Sequence, residues 1–182
     1  MTATAPATTR TFAIDKAHSE VTFQVRHLVT KVRGRFSDFS RKIEFDAEQP
    51  EKSSVAFTID AASIDTSVAD RDKHLRSGDF LDVEQFPKLR FKSGKIERVN
   101  AEHYKVHGSL TVRDVSRDVV LDVEYNGQAK DPWGNTRAAL SAKTSINRPD
   151  FGLTWNQALE AGGVLVGEKV EIELEVQAVL SA

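Results

Sequence analysis

The sequence predicts an all-β protein, mainly antiparallel, whose sheet rolls until it closes into a barrel, with short capping helices around residues 67–86. Three observations carry this. Apolar and polar residues alternate with a period of two in run after run from Phe12 to the C-terminus. Short clusters rich in Gly, Pro, Asn and Asp separate those runs. One stretch, TSVADRDKHLRSGDFLDVEQFP from Thr66 to Pro87, abandons the alternation, bunching its charges and spacing its apolar residues as a helix does.

Taken in order, Val21, Phe23 and Val25 face one way while Thr22, Gln24 and Arg26 face the other. Val55, Phe57 and Ile59 repeat the pattern, as do Tyr104, Val106, Gly108, Leu110 and Val112, and then Val119, Leu121, Val123 and Tyr125. It is clearest at the end, where Val170, Ile172, Leu174, Val176, Ala178 and Leu180 oppose Glu171, Glu173, Glu175 and Gln177. Turns fall at AEQPEKS near Pro50, RVNAEH near Asn100, RDVSRD near Asp114 and YNGQAKDPWGN with its Asn126-Gly127 pair. About eight to ten strands follow, each with one dry face. Such a sheet must pair as a sandwich or close on itself, and closure removes exposed edges, so the barrel is preferred.

Within the exceptional stretch, Ser67 with Asp70 three residues on resembles a capping box, and Val68, Arg71 and Leu75 share a helical face. Gly78 is placed to stop that helix, and Phe80, Leu81, Val83 and Phe86 form a second apolar turn closed by Pro87. Two short helices capping a barrel end are expected.

Composition narrows the function. With 182 residues, 40% hydrophobic and 29% charged, the chain suits one globular domain over residues 11–182, after a floppy Thr/Ala-rich start over 1–10. A net charge of −2 without a basic cluster argues against a nucleic-acid partner. The absence of cysteine excludes disulfides, thiolate metal sites and a cysteine nucleophile. No run approaches the ~20 apolar residues of a spanning helix or the pattern of a secretory signal, so a soluble, cytoplasmic protein is expected.

Small residues at inward positions, Ala138, Ala142 and Thr144 beside Leu140 and Ile146, with Gly34, Ser93 and Gly108 on neighbouring strands, favour a cavity over a solid core. Large Phe23, Phe57 and Phe91 compete to fill it. His27 continues the inward parity to a strand end, where it meets either a ligand head group or a buried carbonyl. His103 and His107 share a face, but that face also carries Lys105, Ser109 and Thr111, so no metal site is expected. Arg71, Asp72 and His74 make a polar cluster at the mouth or an exposed ion-paired helix face. Phe151, Leu153 and Trp155, beside the glycine-rich loop GGVLVG, form either a portal or a satellite core. No nucleophile elbow, carboxylate pair or phosphate loop stands out, so neither an enzyme nor a cofactor is expected. A hydrolase or isomerase using His27 or His74 as base, and a filled scaffold for a protein partner, are the alternatives.

The segments DKAHSEVTFQVRHL, VRGRFSDF, IDTSVADRDKHLRSGDFLDVEQFPKLRFKS, GSLTVRDVSRDVVLDV, DPWGNTRAALSAKTSINRPDFGLTWN and VGEKVEIELE together resemble the YceI-like family of polyisoprenoid-binding proteins, from about Phe12 to Ala178. The resemblance implies an extended, eight-stranded, lipocalin-like barrel whose pore takes an isoprenoid or similar fatty amphiphile, without catalysis. It places family motifs on His18 and Ser19, on His27 and Leu28, on Arg71, Asp72, His74 and Leu75, and on Asn147, Arg148, Asp150, Phe151, Gly152, Leu153 and Trp155. Ser40 and Asp114 stand where relatives often carry glycine. Parity and motif together name Phe23, Val25, His27, Phe36, Phe57, Leu75, Phe80, Phe91, Leu110, Leu140, Ala142, Ile146, Phe151 and Trp155 as ligand contacts. His18, Arg71, Asp72, His74, Arg148 and Asp150 are the expected polar mouth. A symmetric homodimer is plausible as a base rate only.

Overall fold

The computed structural model describes residues 10–40, 42–45 and 49–181, so the floppy start expected over 1–10 and part of the turn before Pro50 lie outside it, Arg10 excepted. The elements are β1 (Arg10–Ile14), β2 (Glu20–His27), β3 (Thr30–Phe36), β4 (Lys42–Phe45), β5 (Ser54–Asp60), β6 (Ile64–Asp65), α1 (Ala69–Arg76), β7 (Lys88–Arg98), β8 (His103–Val112), β9 (Val115–Lys130), β10 (Thr136–Asn147) and β11 (Val166–Leu180).

Strands β5, β7, β8, β9, β10 and β11 pair antiparallel in succession. The free edge of β11 then takes β2 along its first half, Val25 opposite Val170, and β1 at its end, Ile14 opposite Ala178. β1 and β2 are thus one staircase strand, broken by the 3-10 turn Lys16–His18. β3 and β4 are a second, lying on β2 and β1, and β4 reaches β5 through Ile43 opposite Val55. Counted this way, eight strands close an antiparallel, lipocalin-like barrel.

Both breaks are held by serine. The Ser19 hydroxyl donates to the Gln177 carbonyl at 3.2 Å and accepts its N–H at 3.0 Å, replacing ladder bonds across the first break. Ser40 does the same beside the second, its N–H donating to the Thr58 carbonyl and its hydroxyl accepting the Thr58 N–H at 2.9 Å. A glycine there would lose the second bond. At the other departure, Arg113 and Asp114 form the two-residue β8–β9 turn with φ of 52° and 60°, the left-handed backbone that glycine or aspartate suits.

Inside, Phe12, Ile14, Val21, Phe39, Ile43, Phe57, Phe91, Ile96, Tyr104, Val106, Val176 and Ala178 form one buried cluster. Ala61, Ile64, Leu81, Val112, Phe151 and Leu153 form another toward α1. Gly34 and Gly108 do not open the space their size suggested. A Cβ on Gly34 would stand 2.4 Å from the Phe23 ring, and one on Gly108 2.5 Å from both the Phe91 ring and the Lys92 carbonyl oxygen. The glycines are seats for the phenylalanines. Because backbone as well as a ring blocks the way at Gly108, Gly108→Ala should cost about 1–3 kcal/mol, read as a lower urea midpoint at unchanged slope.

The stretch from Thr66 to Pro87 corrects two expectations. Its helix α1 begins after Val68, which makes no side-chain cap, while Ser67 has φ 63° and lends its N–H to the Asp65 carboxylate. The second helix is absent. Residues 77–86 run as overlapping turns, the Phe80 and Asp82 N–H groups both donating to the Ser77 carbonyl and that of Phe86 to Asp82. Those turns bring Phe80 and Leu81, both buried, onto the barrel end.

Candidate functional site

The barrel encloses a cavity of about 590 Å³. Its walls are the inward parity positions: Val170, Ile172, Leu174, Val176 and Ala178 of β11, Leu140, Ala142, Thr144 and Ile146 of β10, Val119, Leu121, Val123 and Tyr125 of β9, and Tyr104, Val106, Leu110 and Val112 of β8. A period of two sends every second side chain inward, so each alternating run supplies one column of wall. The walls are almost entirely hydrocarbon. Polar groups gather at the α1 end, where His27, Thr66, Asp70, Arg71, His74 and Arg148 line it. Asp70 is exposed, so the cavity reaches the surface beside α1. Pro50, Ser53 and Glu44 line it farther along.

Of the residues named from sequence as ligand contacts, Phe23, Val25, His27, Phe36, Phe57, Leu75, Phe80, Phe91, Leu110, Leu140, Ala142, Ile146 and Trp155 line this cavity. Phe151 does not. It is 2% exposed and packs with Ala61, Ile64, Leu81, Val112 and Leu153, because the expected extended segment is instead a 3-10 turn, Arg148–Phe151, ended by Gly152 at φ 77°.

The α1 end is closed by three rings from three segments. The His74 ring meets Trp155 edge-on at 4.6 Å and Phe80 at 5.1 Å, and Phe80 lies 5.3 Å from Trp155. The far side of His74 is fixed by its Nε2, 2.8 Å from the Asp79 carboxylate. Arg71 donates to the Thr66 hydroxyl at 2.7 Å and the Thr66 carbonyl at 2.9 Å. Asp72 is buried, not on the rim: its carboxylate accepts both the N–H and the hydroxyl of Thr66, locking α1 to the strand before it.

Arg148, expected at the mouth, is only 4% exposed although it touches the cavity. Its guanidinium donates to four carbonyls, those of Gly167 and Leu153 at 2.8 Å, Trp155 at 2.8 Å and Val166 at 3.2 Å. Burial pulls Arg148 below its ordinary value, with Glu168 acting the other way. It is a bracket that holds the Trp155 segment against the start of β11. The glycine-rich loop nearby is a turn, Leu159 and Gly163 hydrogen-bonded and Gly162 and Gly163 in left-handed backbone.

His18 and Asp150 are absent from the mouth. Asp150 is exposed on the turn after β10 and is not among the residues that line the cavity. His18 lies on the outer surface with Nδ1 2.8 Å from Asp15. His103 and His107 also face outward, toward Asn100 and Glu97. Asp15 belongs to a network in which Arg137 donates to Asp131 at 2.8 Å, to Asp15 at 2.8 Å and to Gln177 at 3.0 Å. The Arg137 guanidinium, then His18, holds the Asp15 carboxyl down at about 2, and Arg137 also depresses Asp131. Depressed carboxyls stabilise the fold above their unfolded value near 3.9 and lose that stabilisation as pH falls through the folded one. Arg137→Met should therefore melt below the parent at pH 7, and the gap should close between about pH 4 and pH 2 in a melting series.

Sequence reasoning overlooked Ile96, Val32, Leu165 and Val166 as wall residues, and left Tyr104 and Tyr125 out of the named ligand contacts. Parity marks the two tyrosines, but bulges at Ser93/Lys95 and Ala139/Leu140 shift the register around Ile96 and Tyr125. Burial raises the Tyr125 phenol.

Comparison with known proteins agrees with this architecture. The YceI-like domain model matches residues 12–178. A UPF0312 protein of Serratia proteamaculans is 42% identical over 146 residues, 79% of this chain and 76% of its own. The crystal structure of the Campylobacter jejuni YCEI protein superposes with a TM-score of 0.74 at 33% identity, covering 92% of this chain and 96% of that one. A polyisoprenoid-binding domain from Saccharophagus degradans shares the fold at 14% identity, with a TM-score of 0.68 over 93% of this chain and 98% of its own. A barrel of eight strands, a ringed and bracketed end beside α1, and a family match across nearly the whole chain lead to one conclusion: this chain belongs to the YceI-like domain family.

Proposed function

We propose that this protein binds a long-chain isoprenoid or similar amphiphilic lipid in the barrel and acts as a carrier or reservoir for it, without turnover. The observation that carries this is the cavity, about 590 Å³ of hydrocarbon-walled space with a cluster of polar side chains at its α1 end. That volume falls within the ~300–1,000 Å³ range of small-molecule sites. At roughly 30 Å³ per water-sized group, it takes about twenty methylene-sized groups. Their burial is worth about 16 kcal/mol gross at ~0.8 kcal/mol each, against an association cost of about 4–15 kcal/mol. Large ligands retain only ~0.3 kcal/mol per heavy atom, which gives about 6 kcal/mol and dissociation constants of tens of micromolar. The description of the S. degradans neighbour as polyisoprenoid-binding supports the same ligand class.

A tail in the barrel with its head near His27, Arg71 and His74 makes chain length the main determinant of affinity. Titrations with geraniol, farnesol and geranylgeraniol, followed by the fluorescence of Trp155, should tighten about tenfold per isoprene unit and level off beyond about four units. Affinity independent of length, or no bound amphiphile in native mass spectra and no rise in Tm with added prenyl alcohol, would sink the reading. Turnover of an activated ester that disappears in His74→Ala would replace it with an enzyme.

A further inference from the structure

The hairpin between β2 and β3 departs from the chemistry such turns favour. His27 and Thr30 are the last paired residues, so Leu28 and Val29 alone make the turn. Two-residue hairpin turns favour Gly, Asn or Asp because they need left-handed backbone. Leu28 takes φ 55° regardless, a conformation disfavoured for a residue with no short polar side chain. Both side chains then face outward, Leu28 47% and Val29 97% exposed. Strain and exposed hydrocarbon at one point suggest a use outside the fold.

The position of that point is informative. His27, immediately before it, lines the cavity, and the Leu28 N–H donates to the carbonyl of Leu165, another lining residue, at 2.9 Å. Val164, next to Leu165, is also exposed. The apolar tip therefore stands beside the cavity's α1 end. Behind it the hairpin is basic: Arg26, Lys31, Arg33 and Arg35 are exposed, against the single carboxylate of Glu20 between residues 20 and 36. Arg26 lies opposite Lys31 across the ladder, a like-charge pairing that works against the fold. Lys31 and Arg35 reach Glu171 and Asp65, whereas Arg26 and Arg33 make no ion pair among the described residues.

We infer that the β2–β3 hairpin docks the cavity mouth on an anionic lipid surface, Leu28 and Val29 entering the interface while Arg26, Lys31, Arg33 and Arg35 meet lipid phosphates. An apolar tip flanked by cations suits that boundary. Two side chains are far too little for a protein contact of ~800 Å² per partner. Among the described residues no helix is long and apolar enough to cross a membrane. As a delivery step, the inference rests on the cavity holding a lipid tail; as a surface contact, it stands alone.

The test is co-sedimentation with vesicles of phosphatidylcholine, with and without about a third phosphatidylglycerol. The parent should bind the anionic vesicles about tenfold better and lose that preference in ~1 M salt, where screening reaches ~3 Å. Leu28→Gly with Val29→Asn puts glycine at the one turn position with left-handed backbone, so folding is preserved or improved, yet vesicle binding should fall about tenfold. Arg26→Gln with Arg33→Gln should weaken it comparably. Neither double variant alters a wall residue, so affinity for vesicle-free geranylgeraniol should be unchanged. Equal binding to neutral and anionic vesicles, or a Leu28/Val29 variant that binds as the parent does, overturns the inference. So does a dimer in velocity sedimentation that the same variant abolishes, which would assign the tip to a second copy. Vesicle docking that persists when no variant binds prenyl alcohol would sustain the surface contact and remove the cavity reading instead.

Discussion

Replacing Ala142 by tryptophan will cost about a hundredfold in affinity for geranylgeraniol while leaving the barrel folded. Ala142 is 3% exposed, sits between Val123 of β9 and Leu174 of β11, and turns its methyl into the cavity. An indole there occupies room for about nine ligand atoms. At ~0.3 kcal/mol each that is about 3 kcal/mol, hence the hundredfold. The stability cost is smaller because the ring enters open space and displaces little of the protein. Leu140→Trp, one inward position away, should act the same way. Titration of the prenyl alcohol against each variant, with a urea curve for each, separates blockage from unfolding. Parent-like affinity in a folded variant would place the tail elsewhere.

Arg148→Lys should destabilise the protein by about 3 kcal/mol and release the segment after the 3-10 turn. Four carbonyls share one guanidinium, and a lysine ammonium is a point donor that cannot span them. Each carbonyl left unpaired in a buried place costs about 1–3 kcal/mol, moderated where water can enter. Limited proteolysis reads the local effect: new cleavage between Leu153 and Val166 in the variant, before global unfolding. Unchanged protection there would mean that Asn156, which bonds both the N–H and the carbonyl of Val166, holds the segment unaided. Because Trp155 hangs on the same bracket, prenyl affinity should also fall.

Much of the site was readable along the chain. The columns on β8, β9, β10 and β11 are plain alternation, and so is His27 at the end of the β2 column. The misreadings concern what periodicity does not describe: a local turn, side-chain bonds to backbone, and packing between segments. Phe151 falls in the wall only if the chain runs extended past Arg148, and it turns there instead. Charge alone puts Asp72 on the rim, but Thr66, six residues earlier, claims its carboxylate. Arg148 reads as one more charge in NRPDF; nothing nearby announces that its partners are carbonyls up to nineteen residues away. Gly34 and Gly108 suggested room, and the rings of Phe23 and Phe91 occupy it.

Alternation alone settled which side of each strand is dry, because side-chain direction in a strand is a local property with a period of two. It favoured closure over a sandwich, and the pairing of β1 and β2 with β11 decided it. Whether the enclosed space is empty was settled only in three dimensions. That depends on how two broken strands mend across Ser19 and Ser40, where bulges rotate a column, and which way the phenylalanine rings fall, all of them outcomes of packing between distant segments.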